Sequence, residues 1–193
     1  PNSELIFGPP GTGKTYTLIK EVEEALAKGI APDRIGYVSF TKKAIHEAIE
    51  RACSQFGLDQ KQLPWFRTLR VQKEFALYKS KMNKIDFVDQ IEVYIQSGNP
   101  PHLELLIIDE AQDLTPLQWE MVRMIAPNAD RVIIAGDDDQ AIHRWTGVDI
   151  RYFLECSSNV RVLSQSFRMP QKVHTLSQDV VKRIGLRREK IFH

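Results

Sequence analysis

Gly8-Pro9-Pro10-Gly11-Thr12-Gly13-Lys14-Thr15 follows the apolar run Leu5-Ile6-Phe7 and precedes a stretch, Tyr16 to Ala27, that reads as a helix. A strand, a glycine-rich turn and a helix N-terminus in that order make backbone N–H groups converge on one point, where the helix dipole favours negative charge. This is the pattern of a phosphate-cradling loop. In such a loop Lys14 meets the β and γ phosphates of a nucleoside triphosphate and Thr15 holds Mg²⁺, while Gly8, Pro9, Pro10, Gly11, Thr12 and Gly13 form the cradle.

Outward from the loop, apolar strands and amphipathic helices alternate. Ile35 to Phe40 is apolar enough for a buried parallel strand, and Ala44, Ile45, Ala48, Ile49 and Ala52 recur at helical spacing behind Thr41, which predicts a helix over Thr41 to Phe56. Gly57 to Trp65 reads as a loop. From Arg67 to Ser97 the pattern suggests two helices around a basic linker, which would be an insertion on the core fold. Leu103 to Ile108, Arg131 to Ala135 and Val160 to Leu163 are further strand candidates, Thr115-Pro116 opens another helix, and Pro170 to Ile184 is the last. Strands alternating with helices argue for an α/β domain with a mainly parallel sheet, whose ligands bind at the strand C-termini.

The 193 residues, 42% hydrophobic and 26% charged, have an ordinary globular composition and room for a sizeable core. No apolar run approaches the length of a bilayer, and the chain enters a core strand directly, so a cytoplasmic protein with no membrane partner is the expectation. Cys53 and Cys156 form no metal-ligand pattern and are expected as free thiols. A net charge of +1 gives no global electrostatic case for nucleic acid, so that case must rest on particular residues.

Asp109 and Glu110 end the run Leu105-Leu106-Ile107-Ile108. In a nucleotide site the first would bind Mg²⁺, directly or through water, and the second would orient and deprotonate the attacking water.

Three segments then carry a resemblance. The loop at Gly8, Asp109-Glu110-Ala111-Gln112-Asp113, and Gly136-Asp137-Asp138-Asp139-Gln140-Ala141-Ile142-His143-Arg144-Trp145-Thr146-Gly147 resemble motifs I, II and III of the UvrD/Rep-like superfamily 1A DNA helicases. Val38 to Ala44 resembles motif Ia and Gln165-Ser166-Phe167-Arg168 motif IV. The resemblance implies a RecA-like P-loop NTPase fold with a small helical insertion, and ATP with Mg²⁺ as the bound species. Gln140 would sense the γ-phosphate, and Arg168 would reach it with a planar guanidinium that stabilises developing charge.

Phe40 and Trp145 match positions where aromatic rings stack on bases of single-stranded DNA, a contact that tolerates any sequence. His143 and Thr41 fall among the same contacts. Arg67-Thr68-Leu69-Arg70 stands where motif Ib belongs, but Arg70 replaces the usual histidine, which leaves Thr68 and Arg70 a phosphate-contact role. Tyr16 and Phe167 replace the family's usual arginine and tyrosine near the base, which suggests an aromatic clamp on adenine. The resemblance further implies a motor domain over residues 1–160, with the insertion at about 67–97, and a segment 161–193 leading into a second RecA-like domain.

Three functions fit these features. The first is an ATP-dependent DNA helicase or translocase, moving 3′ to 5′ by resemblance. The second is a nucleotide- and DNA-binding module inactive by itself. The third is a P-loop phosphotransferase, which would leave Gly136 to Gln140 and Phe40 unexplained.

Overall fold

The computed structural model describes residues 2–39, 42–57, 65–68, 87–142, 147–167, 169–188 and 190. Its strands are β1 (Asn2–Phe7), β2 (Ile35–Ser39), β3 (Trp65–Thr68), β4 (Leu103–Asp109), β5 (Ala129–Gly136) and β6 (Val160–Val162). The helices are α1 (Lys14–Ala27), α2 (Lys42–Phe56), α3 (Phe87–Ser97), α4 (Pro116–Ile125), α5 (Arg151–Leu154) and α6 (Gln171–Val181). The six strands form one sheet in the order β3-β2-β4-β5-β1-β6, with every neighbouring pair parallel.

Alternation along the strands divides the core into two layers. Ile6, Ile35, Tyr37, Leu105, Ile107, Ile133 and Ala135 pack on one face against Leu18, Ile19 and Val22 of α1 and Ile45, Ala48 and Ala52 of α2. Leu5, Phe7, Val38, Leu106, Ile108, Val132 and Ile134 pack on the other against Ile91 of α3, Trp119, Val122 and Ile125 of α4, and Phe153 of α5. Both faces are covered, so the strands can be apolar throughout, as parallel strands usually are. Trp119 is a buried member of the second layer.

Local chemistry sets the element ends. Thr115 caps α4 in a reciprocal capping box with Gln118, and Pro116 occupies the first turn, where its missing N–H is not needed. The helix predicted from Tyr16 begins two residues earlier, at Lys14. Arg67 and Thr68, read from sequence as the start of a helical segment, lie instead in β3, because Trp65 to Thr68 extends the sheet beside Gly36 to Ser39. A four-residue edge strand is too short to show an alternation that sequence could reveal. Val160 to Val162 adds the opposite edge beside β1. Among the described residues no helix is long and apolar enough to cross a membrane. Both cysteines are free.

The carboxyl ends of β4, β5 and β1 lie side by side, and Gly136 ends the middle one. A Cβ on Gly136 would stand 2.5 Å from Gln112 Oε1 and 2.8 Å from Phe153 Cζ. Gly136→Ala is therefore expected to lower unfolding stability by about 1–3 kcal/mol, as overpacking does, measurable as a reduced urea midpoint.

Candidate nucleotide site

The loop after β1 is shaped by its glycines. Gly11 and Gly13 hold φ of 80° and 82°, a left-handed backbone that residues with a Cβ avoid. Gly13 is the N-cap of α1, where no side chain caps the helix and no acidic residue stands in the first turn. The N-terminal N–H groups of α1 thus face no side-chain acceptor at the N-cap, the arrangement that receives an anion. Thr12 is turned inward, its hydroxyl donating to Pro9 O at 2.9 Å. Lys14 is buried, and its ammonium donates to Gly8 O at 2.6 Å, a carbonyl contact that a phosphate oxygen could replace.

Asp109 ends β4 on the face shared with α1, since Leu105 and Ile107 lie in that layer. It is 1% exposed and accepts a hydrogen bond from the Tyr37 hydroxyl at 2.9 Å. Burial first, and then the neighbouring Glu110 charge, push its carboxyl up to about 6, against the opposing pull of Tyr37, Lys14 and the Glu110 N–H. Tyr37 is itself raised by burial and by Asp109. Ser39 lies in register beside Asp109, and its buried hydroxyl has no hydrogen-bond partner among the described residues. A carboxylate lacking full charge compensation beside an unsatisfied hydroxyl fits a hydrated divalent cation. Asp109 and Thr15 are the residues that would hold it.

Glu110 has φ 53°, the one positive value among the described non-glycine residues. That conformation costs about 1–3 kcal/mol and persists only where its surroundings enforce it. The enforcement is visible. The Glu110 N–H donates to Asp109 Oδ1 at 2.9 Å, its carbonyl accepts from the Asp113 N–H at 3.1 Å, and its carboxylate accepts from Gln112 Nε2 at 2.9 Å. Gln112 is 2% exposed and reaches the other way through Oε1, which accepts the Asp137 N–H at 3.0 Å. With carboxylates on one side and an N–H on the other, the amide has a single sensible orientation. Asp137 in turn accepts Gln140 Nε2 at 2.7 Å and the Asp139 N–H at 3.2 Å.

The ends of β1, β4 and β5 thus carry Lys14, Asp109, Glu110, Gln112, Asp137 and Gln140 in one bonded row, closed by the Gly8 N–H to Gly136 O bond at 3.3 Å. Gln112 and Asp137 received no role from the sequence. Their positions inside the quoted motifs were the available signal, but a bridge between them exists only once β4 and β5 are neighbours. The segment after β6 lies over the loop, with Ser166 Oγ donating to Pro10 O at 3.0 Å and the Phe167 N–H to Gly11 O at 2.9 Å. Phe167 and Tyr16 are both exposed, at 76% and 48%. Phe40, Thr41, Arg70, His143, Trp145 and Arg168 lie outside the described residues, and of Thr68 only the backbone at the end of β3 is described.

A cavity of about 520 Å³ is bordered by Trp119, Arg123, Tyr152 and Cys156, and among the described residues none of the sequence-predicted site residues lines it. Cys156 is half-buried there, and desolvation pushes its thiol up to about 12, which leaves it unreactive as a nucleophile.

The Asp109 shift makes a signed prediction for the ligand-free protein. The folded value near 6 exceeds the ordinary 3.8, so the native state binds the proton more tightly, and ionised Asp109 costs stability above pH 6. Stability from this group rises as pH falls through 6 towards 4. Asp109→Asn is expected to be more stable than the parent at pH 7.5, by on the order of 2 kcal/mol, and to lose most of the parent's gain on acidification. Thermal unfolding of both proteins between pH 4.5 and 8 measures this.

A family model described as an AAA domain matches residues 2–146. The chain is 26% identical over 145 residues to a probable DNA helicase II homolog of Mycoplasma capricolum, covering 64% of this chain and 20% of that protein. It is 28% identical over 137 residues to the ATP-dependent DNA helicase PcrA of Bacillus subtilis, covering 62% and 18%. With DNA helicase II of Escherichia coli the identity is 29% over 91 residues, covering 41% and 13%. The chain therefore spans about a fifth or less of the length of these relatives. The family model covers most of the chain, which belongs to the AAA domain family and carries the motifs of its UvrD-like members.

Proposed function

We propose that this chain is an ATP-hydrolysing motor domain of a DNA helicase or translocase. The bonded row at the carboxyl ends of β1, β4 and β5 supports the reading, because it brings the glycine-rich loop and Lys14 to the same sheet edge as the carboxylates of Asp109 and Glu110. The loop N–H groups and Lys14 bind the phosphates, and Mg²⁺ held by Thr15 and Asp109 would supply charge neutralisation there. Glu110 takes the proton of the attacking water, with its carboxylate aimed by Gln112. Gln140, held by Asp137, meets the γ-phosphate, and Arg168 is proposed to meet it as well.

The names of the relatives support DNA as the polymer. Phe40 and Trp145 are proposed to stack on bases of single-stranded DNA, with Thr41, Thr68 and His143 contacting the strand and movement running 3′ to 5′. Residues 1–160 are proposed as the motor domain, and 161–193 as the lead into a second RecA-like domain that completes the cleft. The exposure of Tyr16 and Phe167 beside the loop favours an adenine clamp. A second reading, a module that binds nucleotide and DNA without turnover, is favoured by the small share of the relatives' length that this chain spans.

Steady-state ATP hydrolysis with and without single-stranded DNA, on this chain and on a version extended through a second domain, separates these readings. The extended protein is expected to hydrolyse ATP faster with DNA; a rate indifferent to DNA counts against the helicase reading. Glu110→Gln is expected to bind nucleotide normally and lose turnover by about 100-fold or more, as removal of a general base does. Lys14→Ala should weaken both. For the clamp, Tyr16→Ala should weaken ATP binding while Tyr16→Phe should not, in a fluorescent-nucleotide titration; equal effects would argue against stacking.

A further inference from the structure

Asp137, Asp138 and Asp139 place three carboxylates in succession beyond β5, and the first two are 1% and 3% exposed. Buried like charges are costly unless cations or donors reach them. Such a triplet has the composition of a metal site, yet its oxygens are already engaged by protein groups. The partners come from a basic segment about fifty residues further on. Arg187 forks onto Asp139 with bonds of 2.7 and 2.8 Å, and the Arg188 N–H donates to Asp138 Oδ2 at 2.6 Å. The Lys190 ammonium, on a side chain with 0% exposure, donates to Asp137 Oδ1 at 3.0 Å and to Asp138 Oδ1, and lies 3.2 Å from Asp139 Oδ2. The Arg188 guanidinium and the Lys190 ammonium also lie over the Phe7 ring, 5.2 and 5.4 Å from its centre. Phe7 is the last residue before the phosphate loop.

We infer that Lys190 is a positioning residue for the hydrolytic site, acting through Asp137. Asp137 uses one oxygen for Lys190 and the other for Gln140, while its N–H is held by Gln112, whose amide also holds Glu110. A carboxylate bonded on both oxygens cannot rotate without breaking a charge-assisted bond. Lys190 therefore fixes the Asp137 plane, and that plane fixes Gln140 on one side and supports the Gln112–Glu110 pair on the other. Burial alone would make the ammonium easier to deprotonate, but the three carboxylates outweigh it and raise its pKa, so it stays charged at every working pH. Arg187 and Arg188 anchor the segment; Lys190 is the member that touches Asp137.

The kinetic half of this inference rests on the ATPase reading above, so the test has a structural readout independent of turnover. Amide hydrogen exchange is compared on the full chain for the parent, Lys190→Met, Lys190→Arg, and the double variant Lys190→Met with Asp138→Asn, which removes one buried charge along with its partner and so protects folding. Exchange at residues 110–113 and 137–140 is expected to rise by about tenfold or more in both Lys190→Met proteins, as loss of a charge-assisted hydrogen bond implies, with β1 and β2 unchanged and Lys190→Arg intermediate. In the ATP assay the same proteins are expected to lose about tenfold or more in kcat with KM within about twofold, the signature of lost transition-state positioning. Exchange unchanged at 137–140, or raised equally through every strand, overturns the inference. If the parent, even extended through a second domain, binds ATP without hydrolysing it while the Lys190→Met proteins show the localised exchange response, the ATPase reading is overturned and the positioning role of Lys190 stands.

Discussion

The Gln112 amide spans the ends of β4 and β5, donating to Glu110 and accepting from the Asp137 N–H. It is buried, so its bonds compete with no solvent, and losing the one from the Asp137 N–H would strand a polar group at a cost of about 1–3 kcal/mol. Much of the site depends on it. Glu110 sits in a left-handed backbone that it would leave without support, and Asp137 would lose the bond that turns its N–H inward. Close packing explains why Gly136 stands beside this amide, since the space a Cβ would need is taken by Gln112 and Phe153.

Around that bridge the charges are arranged in two different ways. Asp109 is buried with only partial compensation, so its proton is held up to about 6. Asp137, Asp138 and Asp139 are fully matched from within the chain by Arg187, Arg188 and Lys190. The first carboxylate has no cation bonded to it among the described residues, whereas the other three are paired within the chain. Similar acidic residues at the ends of adjacent strands therefore do opposite work, and the difference lies in which cations the fold delivers to them.

Much of the fold was legible because its signals are local. The apolar runs of β1, β2, β4 and β5 and the amphipathic periods of α1 and α2 are properties of a few consecutive residues. So is the phosphate loop, whose glycines and lysine must occur at fixed spacing for backbone N–H groups to converge. β3 was not legible: Trp65 to Thr68 is strand because Gly36 to Ser39 offers it an open edge, and nothing in four residues announces that. The start of α1 was read two residues late, since Lys14 and Thr15 look like loop residues until Gly13 is seen to cap the helix.

The sequence by itself determined the alternating α/β class, the glycine-rich loop between β1 and α1, and the carboxylate pair Asp109 and Glu110 at the end of β4, each from short-range pattern. Tertiary structure alone decided the strand order, the bridge from Gln112 to Asp137 across 25 residues, and the seating of Lys190 on Asp137 across 53. The physical reason is that hydrogen bonds and buried ion pairs act over about 3 Å, and no one-dimensional pattern states which distant residues will come that close. In this chain the parallel sheet makes that choice, by setting the ends of β4, β5 and β1 in a row.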